Sequence, residues 1–131
     1  MIGLDTNVLI RYLTQDDPDQ SAKATRFIEH QLTVHNPGYI CLVVMAETAW
    51  VLERSYRRTA IQVAEALERL LRAETLIVES EQEVFASIIA MQLGQATFAD
   101  ALIEELGAKV GCDHTVTFDE KASRLPGFRT L

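Results

Sequence analysis

Ile2-Gly-Leu-Asp-Thr-Asn-Val-Leu-Ile10 decides how this chain reads. Ile2 to Leu4 is a short apolar segment that stops at Asp5. Val8, Leu9, Tyr12 and Leu13 then recur at helical spacing, which predicts a strand passing straight into a helix. The same unit repeats downstream. Pro18 opens a second helix with Ala22, Phe27, Ile28 and Leu32 on its apolar face. After the Asn36-Pro-Gly38 turn, Tyr39 to Leu42 reads as a second strand, followed by a helix from about Met45 to Tyr56. Ile61 to Leu71 marks another amphipathic helix, Thr75 to Val78 a third strand, and Val84 to Leu93 a further helix. Ala99, Leu102, Ile103, Leu106 and Val110 form a helical stripe closed by Gly111. His114 to Thr117 is a fourth strand ending at Phe118-Asp119, and Arg124 to Phe128 is a turn with room for a last short strand.

Strands that alternate with helices need crossover connections. The expected fold is therefore α/β: a mainly parallel sheet covered on both faces. With 131 residues and no Pro-rich, Gly/Ser-rich or repeated stretch, residues 1–131 read as one domain. About half the residues are apolar and a quarter charged, as in ordinary globular proteins. The opening residues have no basic region and meet an acid too early for a signal peptide, and no apolar run approaches membrane-helix length. A cytoplasmic protein is expected. Cys41 and Cys112 fall in apolar, strand-like segments and read as reduced, buried thiols, with a disulfide between them as the lesser alternative. The net charge of −7, from 12 Lys+Arg against 19 Asp+Glu, argues against a nucleic-acid partner unless bound cations offset the acids.

In open parallel sheets the functional crevice lies beyond the carboxyl ends of the strands. Asp5 ends the first strand and Asp119 the fourth, while Glu47 lies about a turn into the helix after the second. Asp100 stands early in its own helix, where the dipole favours an acid. Each has a plainer reading. Asp5 and Asp119 suit helix N-caps. Glu47 shares a helical face with Val43, Trp50 and Arg54, where it needs a partner, and an arginine would serve. Asp100 suits a solvated helix edge. If the four carboxylates converge, a cation must neutralise them, and oxygen ligation suits Mg²⁺ or Mn²⁺. Neither the three histidines nor the cysteines show zinc spacing, and there is no Ser–His–Asp set, phosphate-binding Gly loop or GxGxxG. Metal-assisted phosphodiester hydrolysis is the chemistry such a cluster serves.

Asp5-Thr-Asn-Val-Leu-Ile10, Glu47, Phe98-Ala-Asp-Ala-Leu-Ile103 and Thr117-Phe-Asp119 together resemble the PIN-domain nucleases, and among them the toxins of VapBC-type toxin–antitoxin pairs. The resemblance covers essentially the whole chain. It implies a three-layer α/β/α sandwich and a Mg²⁺- or Mn²⁺-dependent endoribonuclease acting on RNA. Asp5, Glu47, Asp100 and Asp119 match the family's acids, Thr6 and Asn7 its polar residues after the first acid, and Thr117 a supporting hydroxyl. It also implies a homodimer and an antitoxin partner, the antitoxin held by the helical hairpin from Met45 to Ala73, which in part also borders the RNA groove and where Arg54, Arg57, Arg58, Arg69 and Arg72 are loosely grouped. A non-catalytic interaction module of the same fold is the alternative. A receiver domain and a dehalogenase-type phosphatase both fit poorly. The first lacks an Asp after Val78, and the second would need an acid where Asn7 stands.

Overall fold

A computed structural model describes residues 1–131. Strand β1 (Ile2–Gly3) ends at Asp5, which N-caps helix α1 (Thr6–Thr14) by accepting the Thr6 N–H at 2.8 Å. Asp17 caps α2 (Pro18–Arg26), with Pro18 in the first turn where its missing N–H costs nothing. The helix continues through a π-helical turn, Phe27–Gln31. Strand β2 (Gly38–Ile40) leads into α3 (Leu42–Arg54). A reciprocal capping box between Thr59 and Gln62 starts α4 (Ala60–Arg72). Then come β3 (Leu76–Val78), α5 (Glu81–Gln92), α6 (Phe98–Lys109), β4 (Thr115–Thr117), a 3₁₀ turn (Ala122–Arg124) and β5 (Phe128–Thr130).

The expected strand–helix alternation holds, and the architecture is an α/β/α sandwich in which every strand pair is parallel. The strands lie in two pieces: β1-β2-β3 in one sheet and β4-β5 in another. The core divides in the same way. Leu9, Ile40, Met45, Leu67, Leu70 and Ile88 lie in the main cluster, which Phe98 and Leu102 of α6 join. Ala101, Ala122, Leu125 and Phe128 form a separate cluster between α6 and the β4–β5 sheet. No helix is long and apolar enough to cross a membrane.

Three local expectations need correction. The second strand is Gly38–Ile40 rather than Tyr39 to Leu42, because Cys41 already takes the N-cap place and α3 starts at Leu42, a turn earlier than the periodicity alone suggests. Both cysteines are free, but neither is buried in a strand: Cys41 is half-buried at that cap and Cys112 is exposed in the turn before β4. The face of Glu47, Val43, Trp50 and Arg54 looks outward. Val43 and Trp50 are exposed, so Glu47 meets water and not an apolar interior.

Candidate active site

Helix α3 separates the acids. On its inner side Met45, Thr48, Ala49 and Leu52 are buried. At 100° per residue Glu47 lies near the outward face with Val51 about 40° from it, and Glu53 lies about 120° away from Glu47 on the other flank. On the Glu47 side Asp5, Asn7, Arg11, Glu47, Ser55 and Tyr56 line a cavity of about 370 Å³. On the Glu53 side Glu53, Arg58, Asp100, Asp119, Lys121 and Arg124 line one of about 270 Å³. The structure thus brings Asp5 to Glu47 and Asp100 to Asp119. It does not bring the four together, and no group of three or more His, Cys, Asp or Glu side chains is placed to hold one metal ion.

Within each pair one acid is held locally and the other is free. Asp5 accepts the Thr6 N–H. Asp119 accepts the N–H groups of Lys121 at 2.8 Å and Ala122 at 3.4 Å, and its own N–H donates to Thr117 Oγ1 at 3.0 Å. The cap reading of Asp5 is therefore present in the fold, whereas Asp119 holds the turn that follows it and caps no helix, and the Thr117 hydroxyl accepts from the Asp119 backbone. Glu47 and Asp100 carry carboxylates that accept no hydrogen bond and form no ion pair. Arg54, which shares the helical face of Glu47, lies instead over the Trp50 ring, 5.9 Å from its centroid. Asp100 is in the first turn of α6, its N–H held by the Thr97 cap at 3.2 Å. Thr6 is buried beside Asp5 and its hydroxyl has no partner; Asn7 is exposed in the first cavity.

Two features of this region were not legible beforehand. The Glu79 carboxylate at the end of β3 caps α3 from outside, accepting the Leu42 N–H at 2.9 Å. Asp16 accepts hydrogen bonds from Tyr56 Oη at 2.7 Å, Thr14 Oγ1 at 2.8 Å and Arg11 at 3.2 Å, tying α1 to the end of α3. The Tyr56 and Thr14 hydroxyls, then the Arg11 charge, hold the Asp16 carboxyl below its ordinary range. The only signal for either is a polar residue at an element boundary, which does not name its distant partner.

Parallel strands under flanking helices, with acids at their carboxyl ends, define the class: an acid-rimmed α/β/α domain. The PIN domain family model matches residues 2–127, and the chain belongs to that family. A nuclease-like role in general accords with that membership. The comparison with curated proteins gave no match.

Proposed function

We propose that residues 1–131 are one nuclease domain, a Mg²⁺- or Mn²⁺-dependent endoribonuclease, and that it serves in the cytoplasm as the toxin of a VapBC-type pair. The observation that carries this reading is the pair of unneutralised carboxylates, Glu47 and Asp100, each sharing a cavity with a second acid at the end of a parallel strand. Carboxylates that form no ion pair at a strand-end crevice, with Arg11 lining the one cavity and Arg58, Lys121 and Arg124 the other, suit a cation and a phosphate rather than a structural ion pair. Mg²⁺ binds through one or two carboxylates together with substrate phosphate. Each cavity offers that number, but one chain does not assemble the full set of four expected ligands. Asp5, Glu47, Asp100 and Asp119 remain the proposed ligand and catalytic set, with Thr6, Asn7 and Thr117 in support.

Val43, Trp50 and Ile61 are exposed apolar side chains on the α3–α4 hairpin. Exposed apolar groups on one hairpin suit a protein contact. We assign them to the antitoxin or to a homodimer contact.

The test is RNA cleavage in millimolar Mg²⁺ or Mn²⁺, with and without EDTA. Cleavage is expected to stop on chelation and in both Asp5→Asn and Asp100→Asn. Metal-independent cleavage, or activity surviving in both variants, overturns the reading.

The separation of the acids and the net charge of −7 favour one second reading, a non-catalytic interaction module. Calorimetric titration with Mn²⁺ distinguishes them: the nuclease gives a binding isotherm that Asp5→Asn weakens, and the module gives none.

A further inference from the structure

A single basic residue, Arg11, lines the cavity of Asp5 and Glu47. It stands in the last turn of α1, four residues after Asn7, so the two share a helical face and a wall of that cavity. Gln15 then takes a left-handed conformation, φ 56°, which turns the chain out of the helix and lets Asp16 fold back beside Arg11. Tyr56, just beyond the end of α3, meets both from the other side.

The guanidinium is held along one side only. Its Nε donates to Gln20 Oε1 at 2.8 Å. Its Nη1 donates to Asp16 at 3.2 Å and to Tyr56 Oη at 3.1 Å. Nη2 makes no hydrogen bond, which leaves both of its N–H groups open. Arg11 pairs with Asp16 and not with Asp5 or Glu47, although it shares their cavity. Its three partners come from α2, the α1–α2 turn and the end of α3. The rotamer entropy of this long side chain is thus lost on folding and not again on binding.

An acidic pair alone repels a polyanion. A cation held by Asp5 and Glu47 offsets that repulsion in part, and a fixed guanidinium beside them adds a planar, paired donor set that matches phosphate oxygens. We infer that Arg11 is a phosphate-binding residue of this site, its open Nη2 edge taking a backbone phosphate of RNA that reaches Asp5 and Glu47. Gln20, Asp16 and Tyr56 are its positioning residues. The contribution to cleavage rests on the nuclease reading; the phosphate contact itself is judged by binding.

Fluorescence anisotropy of a fluorescein-labelled oligouridylate in millimolar Mg²⁺ tests the contact. All chains carry Asp100→Asn, which lies in the other cavity and is expected to keep the probe intact. Adding Arg11→Gln is expected to weaken binding about tenfold and to lower the slope of log Kd against log[KCl] by about 1. Arg11→Lys keeps the charge and the slope but loses part of the affinity with the paired donors. Asp16→Asn loosens the same brace between α1 and α3, yet it removes a competing negative charge and keeps an acceptor for Arg11. It is expected to bind at least as tightly as the parent, with circular dichroism confirming the fold of each variant. Equal losses in Arg11→Gln and Asp16→Asn would make Arg11 a brace and overturn the inference. An unchanged slope in Arg11→Gln, or no binding by the parent chain, overturns it too.

In the chain with Asp100 intact, Arg11→Gln is expected to raise KM about tenfold and to change kcat less. Binding that depends on Arg11 in a protein that cleaves nothing defeats the nuclease reading and leaves the phosphate contact standing. Cleavage with an unchanged KM in Arg11→Gln does the reverse.

Discussion

The Leu42 N–H donates to the Glu79 carboxylate at 2.9 Å, joining the first turn of α3 to the end of β3 across 37 residues. Cys41, in the cap position, offers no side-chain acceptor, so Glu79 takes over that role and adds a negative charge at the positive end of the helix. Glu47 stands in the next turn, and its placement against Asp5 depends on where α3 begins. Glu79→Ala is expected to lower stability by about 1 kcal/mol, as loss of a helix cap does. Glu79→Gln keeps an acceptor and should lose less. Urea unfolding of the three proteins checks the order; equal stability of Glu79→Ala and wild type would deny Glu79 the capping role.

Asp5 has two separable jobs. Asn caps a helix about as well as Asp does. Asp5→Asn should therefore leave the denaturation midpoint within the equivalent of about 0.5 kcal/mol, whereas Asp5→Ala costs about 1 kcal/mol. If Asp5 serves the proposed reaction, both variants lose cleavage by a factor on the order of 100 or more. Activity that tracked stability across the two variants would reduce Asp5 to a cap.

Asp16 makes stability depend on pH. Its folded pKa lies below its unfolded value, because Tyr56 and Thr14 hydrogen-bond the carboxylate and Arg11 attracts it. The stabilisation is therefore complete above the unfolded pKa of about 3.9 and is lost as pH falls through the lower folded value. Urea midpoints for wild type and Asp16→Asn should differ at pH 6 and converge toward pH 2. A gap that stays constant over that range would show that the charge of Asp16 contributes nothing.

Thr48 is fully buried beside Glu47, and its hydroxyl has no hydrogen-bond partner. An unpaired buried hydroxyl costs free energy that an apolar group of the same shape does not. Thr48→Val is expected to raise stability by up to about 1 kcal/mol. Thermal unfolding checks the sign, and a lower melting temperature would mean that the hydroxyl is bonded in solution.

Much of the site was legible because it is local. A carboxylate that ends an apolar run and begins a helical stripe reads as a strand-end cap, and Asp5 is one. Asp100 follows its Thr97 cap by three residues, and Thr117 and Asp119 alternate as a strand edge requires. The face shared by Glu47, Val43 and Trp50 was read less well. Helical periodicity tells which side chains travel together, but not whether the shared side meets the core or water. A basic groove beside β1 went unseen for a related reason: Arg11, Lys23 and Arg26 come from two helices and are gathered only by their packing there.

By itself the sequence determined the order of strands and helices, the parallel connections, the cap at Asp5 and the four acids at element ends, because apolar spacing and cap chemistry act within a few residues. Tertiary structure alone decided that β4 and β5 form their own sheet, and that α3 stands between Asp5–Glu47 and Asp100–Asp119. A strand's outward N–H and C=O groups are chemically the same whether paired or open. Which strands pair is settled by packing between segments far apart in the chain, such as the contact of Gly127 with Glu104 of α6.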